Sequence, residues 1–126
     1  MRSPKKLHIL FVDDDESMMS VSTGMLERLG HTVRRQNESL NALRLFSEDP
    51  DEFDLAIVDH QLPDLNGLEL GERFRRIRPG FPVMLYAGSI DPPTLERIEA
   101  AGIHHVIIEP LTVSGLEKAL YAALQT

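Results

Sequence analysis

The chain has 126 residues, a formal charge of −7 and no cysteine; that is the length of one ordinary domain, with enough core to need no covalent staple. The lack of cysteine removes disulfides and thiolate metal sites, and the acidic balance argues against direct binding to nucleic acid or anionic lipid. The apolar run after Arg2, Lys5 and Lys6 is short, contains His8 and ends in acids, so it reads as neither a signal peptide nor a membrane span, and a soluble cytoplasmic domain is expected.

Leu7–Val12 (LHILFV) is a nearly continuous apolar run, the pattern of a strand buried on both faces. Met18, Val21, Ser22, Met25, Leu26 and Leu29 then recur at helical spacing, and Gly30 is placed to end that helix in the left-handed conformation. His31–Gln36 is more polar and reads as an edge strand. Asn37 or Ser39 is placed to cap a second helix, with Leu40, Leu43 and Phe46 on its inner face. Phe53–Asp59 (FDLAIVD) gives the strongest strand pattern, with Ile57 and Val58 directly before the acid. Gly67 to Arg78 follows as a helix with Leu68, Leu70, Phe74 and Ile77 apolar, stopped by Pro79-Gly80. Pro82–Ala87 (PVMLYA) is a further buried strand, and Tyr86, like Phe81, reads as a packing residue. Pro92-Pro93 suits the first turn of a helix through Ala101, because proline's missing N–H costs nothing there. His104–Glu109 is the last strand, and Thr112 onward forms a helix with Leu116, Ala119, Leu120, Ala123 and Leu124.

Five β–α alternations with no repeat or linker demand a parallel sheet with helices on both faces. The chain 1–126 therefore reads as one domain, with an ordered core of about 6–125 and a few untethered residues at its start. Ligands of such sheets sit beyond the carboxyl ends of the strands, here Asp13 and Asp14, Gln36, Asp59, Ala87 and Glu109. Taken alone, Asp13-Asp14-Asp15-Glu16 is explained by capping and the helix dipole. Asp59 changes that balance, because it too closes a buried apolar strand. If the two strands are neighbours, three carboxylates converge in one crevice. Like charges there push pKa values upward, so a hard divalent cation is the natural partner. Mg²⁺ takes few carboxylates together with water and phosphate oxygens, which leaves room for a phosphoryl group.

At this point the sequence resembles a family. HILFVDDDE at 8–16, DLAIVDHQLPDLNGLEL at 54–70, PVMLYAG at 82–88 and VIIEPLT at 106–112 are similar, in order, to segments of bacterial response-regulator receiver domains. The resemblance implies a flavodoxin-like, doubly wound (βα)5 fold with five parallel strands in the order 2-1-3-4-5; that order comes from the resemblance and not from the apolar pattern. It matches Asp13 and Asp14 to the family's metal-binding acids and Asp59 to its phosphoacceptor. Gln61 stands where a backbone carbonyl completes the coordination of Mg²⁺ (or Mn²⁺), and Pro63 and Gly67 match the turn that follows. It also implies partners: a sensor histidine kinase or histidine phosphotransfer domain upstream, and an output protein or domain downstream. The chain would be a phosphoacceptor signalling domain and not an enzyme in its own right, present as a monomer or weak dimer. With no effector segment after the final helix, a stand-alone receiver and a piece of a larger protein both fit. A cis Glu109-Pro110 bond is also expected.

Three positions depart from the family pattern. Ala87 stands where Ser or Thr normally binds a phosphoryl oxygen, Glu109 where Lys normally pairs with it, and Val106 where a switch aromatic belongs. Loss of the hydroxyl removes a hydrogen bond of about 1–3 kcal/mol to a buried charged acceptor. Glu109 reverses a charge; at ~4 Å and an effective dielectric of ~20, each unit pair interacts by about 4 kcal/mol before screening. Two readings follow: a working phosphoacceptor with altered lifetime and switching, or a pseudo-receiver that binds partners independently of phosphorylation. Since both ends of the usual relay are missing, switching is expected to run through ordering of the loop Gly88–Asp91, where Ser89 offers a hydroxyl. Asp64 and Asp91 read as turn residues, His60 as a surface histidine, and His104-His105 as non-chelating, since neighbouring strand residues point to opposite faces. Leu95, Ile98 and Leu116 are apolar near the last two strands, where core packing and a docking face explain them equally well.

Overall fold

Continuous apolar runs are stable as strands only between two layers of helix, and that sandwich is what forms. The computed structural model describes residues 6–125; the untethered start expected around Arg2 and Lys5 lies outside them. Its elements are β1 (His8–Val12), α1 (Glu16–Arg28), β2 (Thr32–Gln36), α2 (Ser39–Glu48), β3 (Leu55–Asp59), α3 (Gly67–Ile77), β4 (Val83–Ala87), α4 (Pro92–Ala100), β5 (His105–Ile108) and α5 (Val113–Leu124). The strands form one parallel sheet in the order β2-β1-β3-β4-β5. This is the expected flavodoxin-like fold. Every expected element is present, with ends moved by one or two residues.

The sheet divides the core into two clusters. Ile9 and Phe11 of β1, Leu55 and Ile57 of β3, and Met84 and Tyr86 of β4 face α1 and α5. Leu10, Val12, Ala56, Val58, Val83 and Leu85 face the other way, where Phe46, Phe74 and Phe81 pack with ring centroids 4.6–6.0 Å apart. That second layer belongs to α2, α3 and α4.

Helix faces differ from the apolar spacing most on α1 and α2. On α1, Val21 is 57% exposed, while Met19, Ser22, Thr23 and Leu26 face inward. Asp15 sets this phase by capping the helix through the Met18 N–H, and the small Ser22 and Thr23 let the helix lie close to the sheet. On α2, Leu40 is 53% exposed and Ser39 is buried, because the Ser39 Oγ accepts the Leu65 N–H at 3.1 Å. The cap position of α2 is Glu38, with no side-chain cap bond, and neither Asn37 nor Ser39 fills it. Gly30 does take positive φ, +98°, after α1.

His31 is buried at the start of β2, and its Nδ1 accepts the Leu7 N–H at 3.0 Å. Burial lowers its pKa from the ordinary 6.5, and a proton on Nδ1 would face another donor. The unfolded chain therefore takes up this proton first, so stability is full above pH 6.5 and falls as the pH drops below it. The ring resonances of His31 are expected to titrate below 6.5; a midpoint at or above that value contradicts this placement.

Candidate functional site

The carboxyl ends of β1, β3 and β4 come together because these strands are hydrogen-bonded neighbours, with Val12 opposite Val58 and Asp59 opposite Tyr86. Side-chain alternation then directs Asp13, Asp59 and Tyr86 to the face of Phe11, Ile57 and Met84. Ligand oxygens of Asp13, Asp14 and Asp59 all lie within 4.8 Å of one another, and among the described residues this is the group of acids and histidines able to hold a metal. Asp13 is 1% exposed, Asp59 half-buried and Asp14 exposed. The acid run thus divides by role: Asp13 and Asp14 enter the crevice, while Asp15 caps α1.

Hydrogen bonds fix Asp13 and Asp59. The Asp13 N–H donates to the Gln36 carbonyl at 3.1 Å. Its Oδ1 accepts the Asp15 N–H at 2.9 Å, and its Oδ2 accepts the hydroxyl of Tyr86. Asp59 Oδ1 accepts the Gln61 N–H at 3.1 Å. Burial is the first cause that raises the Asp13 carboxyl to about 7; the Asp15 N–H opposes the rise, and the charges of Asp59 and Asp14 add to it. Asp59 is raised as well, by burial first, with the Gln61 N–H and the bond with Asp13 pulling it back. Two such acids titrate as a pair and not as separate groups.

Asp59 opens onto a cavity of about 260 Å³ that Gln61, Ala87, Gly88, Ser89 and Glu109 also line. None of these lining residues carries a positive charge. Ala87 and Glu109 are tied together by the Glu109 N–H to Ala87 carbonyl bond at 2.8 Å, and the Glu109-Pro110 peptide is cis, as expected. Val106 stands apart: it lines an apolar groove of about 330 Å³ with Ile90, Leu95, Glu99, His104 and Ile108. Leu95 borders that groove, whereas Ile98 and Leu116 are fully buried in the core. Asp91 caps α4 through the Thr94 N–H at 2.8 Å. His60, expected at the surface, is half-buried with its Nδ1 enclosed and unpartnered.

Tyr86 is the site residue that the sequence reading passed over. A buried tyrosine hydroxyl needs a partner, and Tyr86 lies directly opposite Asp59 in the β3–β4 register. Those two facts together were the available signal. Gly67 matters for a different reason. A Cβ there would stand 2.4 Å from the Asp59 carbonyl oxygen and 2.8 Å from the His60 Cα, so only glycine lets α3 start against the acid-bearing strand end.

A model of the response regulator receiver domain matches residues 9–121. The sensor histidine kinase AruS of Pseudomonas aeruginosa is 35% identical over 122 residues, 94% of this chain and 12% of the kinase. The DNA-binding transcriptional regulator NtrC of Azospirillum brasilense is 30% identical over 118 residues, 94% of this chain and 24% of the regulator. The chain therefore spans less than two thirds of either relative. Among solved structures, a response regulator receiver domain protein of Clostridium thermocellum superposes with a TM-score of 0.87 at 25% identity, over 94% of both chains. A CheY-like receiver domain protein of Methanospirillum hungatei JF-1 gives 0.85 at 27% identity, over 96% of this chain and 95% of that one.

Two outcomes are expected. Gly67→Ala should cost about 1–3 kcal/mol in denaturant unfolding, because the added methyl meets backbone and not a movable side chain. A cation at Asp13 would have to displace its proton, which burial above all holds up to about 7. Magnesium affinity measured by calorimetry should therefore be about tenfold weaker at pH 6 than at pH 8. The fold without metal behaves in the opposite sense. Its raised Asp13 pKa means that stability is lost as the pH rises from the ordinary value of 3.8 toward about 7.

Proposed function

Since the chain belongs to the response regulator receiver domain family, whose model spans residues 9–121, we propose that it accepts a phosphoryl group on Asp59 in a divalent-cation-dependent reaction. The donor is a phosphohistidine on a sensor histidine kinase or histidine phosphotransfer domain, and the signal passes to an output protein or domain. The observation that carries this reading is the convergence of three carboxylates within 4.8 Å beside the cavity onto which Asp59 opens.

The donor set suits Mg²⁺ (or Mn²⁺): all hard oxygen ligands, with a buried Asp13 that is costly to ionise alone. Asp13, Asp14, Asp59 and the backbone carbonyl of Gln61 would hold it. Bound there, such a cation would supply positive charge to offset the repulsion between the Asp59 carboxylate and the incoming dianion. The Asp59 oxygen attacks phosphorus in line, the new P–O bond forms, and the P–N bond breaks with its electron pair returning to the histidine ring. The Gln61 N–H donates to Asp59 Oδ1 at 3.1 Å, which holds the attacking carboxylate in one orientation. The domain works as a signalling phosphoacceptor inside the cell, as a monomer or weak dimer, and catalyses at most its own phosphorylation and hydrolysis.

Glu109 favours a second reading. It lines the same cavity as Asp59, so the phosphoryl group meets an anion where the family usually supplies a cation, and Ala87 offers no hydroxyl. A pseudo-receiver that binds partners through its fold, without phosphorylation, would tolerate both residues. Under the first reading the signal leaves through the loop Gly88–Asp91, since Ala87 and Val106 cannot relay it. Backbone amide shifts in that loop should then differ between phosphorylated and unphosphorylated protein; identical shifts would rule this route out.

Incubation with Mg²⁺ and acetyl phosphate, followed by intact-mass spectrometry, separates the readings. One added phosphoryl group in the native protein and none in Asp59→Ala supports phosphoacceptance. No addition, in folded protein that binds Mg²⁺, supports the pseudo-receiver. Glu109→Lys replaces a repulsive pair by an attractive one and should raise the phosphorylated fraction at limiting donor about tenfold, as expected for a few kcal/mol of Coulomb energy reduced by solvent.

A further inference from the structure

Phosphoryl transfer, as set out above, makes no use of Tyr86, yet Tyr86 brings a hydroxyl to a carboxylate at the centre of the site. We propose that Tyr86 is a positioning residue of the metal site, whose hydroxyl locks the Asp13 carboxylate in the orientation that presents it to a divalent cation. The inference rests on the metal-binding reading and extends it to a residue outside the acid group.

A carboxylate on a free side chain turns about its last bond, and a ligand that must be oriented on arrival binds more weakly. Asp13 has both oxygens held. The Asp15 N–H takes Oδ1 at 2.9 Å, and the Tyr86 hydroxyl takes Oδ2. Each oxygen has two lone pairs, so each keeps one for a cation. The first of these donors belongs to the loop before α1 and the second to β4, so the clamp ties the acid loop to the central sheet.

Tyr86 is itself fixed. It is 1% exposed, its ring lies 5.7 Å from that of Phe11 at a tilt of 57°, and its carbonyl accepts the His60 N–H at 2.9 Å. The hydroxyl cannot leave Asp13 without moving a core ring. The alternative is that the ring fills space and the hydroxyl merely finds a partner. Under that alternative, loss of the oxygen changes stability and leaves cation binding alone.

The chain has two tyrosines, Tyr86 and Tyr121, and no tryptophan, so Tyr121→Phe leaves Tyr86 as the sole source of tyrosine emission. A phenol bonded to a free carboxylate is quenched, and a cation on that carboxylate relieves the quenching. The experiment is a magnesium titration of wild type, Tyr86→Phe and Tyr121→Phe, followed by calorimetry and by tyrosine emission. Tyr86→Phe is expected to bind Mg²⁺ about 10-fold or more weakly, and to lose the metal-dependent emission change that Tyr121→Phe retains. Equal affinity in wild type and Tyr86→Phe overturns the inference and leaves the metal reading standing. Absence of binding by folded wild type overturns the metal reading and this inference with it. If Tyr86→Phe does not fold, Tyr121→Phe decides alone: emission that responds to Mg²⁺ supports the clamp, and emission that does not respond overturns it.

Discussion

Two carboxylates on adjacent parallel strands, one of them nearly sealed from water, cannot both stay charged without help, and the local structure is arranged around that cost. β1 and β3 are hydrogen-bonded neighbours, so Asp13 and Asp59 are brought together by backbone pairing and not by choice of rotamer. The protein meets the cost in part with its own donors: the N–H groups of Asp15 and Gln61 and the hydroxyl of Tyr86. The rest shows in the carboxyls themselves, both of which burial raises above the ordinary range. Gly67 belongs to the same arrangement, since it allows α3 to begin against the strand end that carries Asp59.

Much of this was legible in the residues. The runs LHILFV, FDLAIVD and PVMLYA read as strands covered on both sides, and the acids that end the first two marked the candidate functional edge. The strand order was not legible from apolar pattern alone, because register and neighbours depend on pairing over long sequence distances. Helix phase was the weaker point. Val21 and Leu40 fell at plausible spacing but face solvent, since capping by Asp15 and the bond from Leu65 to Ser39 decided which side turned inward. Tyr86 was legible only in part, for a related reason. Its ring does pack in the core, as expected, but packing describes the ring and says nothing of where the oxygen ends.

The departures from the family pattern do not form one lesion. Ala87 and Glu109 are joined by a backbone hydrogen bond and share the cavity beside Asp59, so they act on the same incoming group. Val106 lines a separate groove with Ile108 and Leu95. A missing aromatic there alters what the α4–β5 surface offers and leaves the electrostatics at Asp59 untouched.

The two-sided core divides the same positions in another way. Asp13, Asp59 and Tyr86 are supported from the layer of α1 and α5, whereas Ala87 continues the series Val83 and Leu85 that packs, with Val106, on the opposite layer. The cavity beside Asp59 is thus walled from both layers, since Asp59 and Ala87 both line it. Close-packed interiors transmit small changes of volume, so repacking either layer alone moves one wall of that cavity against the other. Variants that keep its shape must change both layers together.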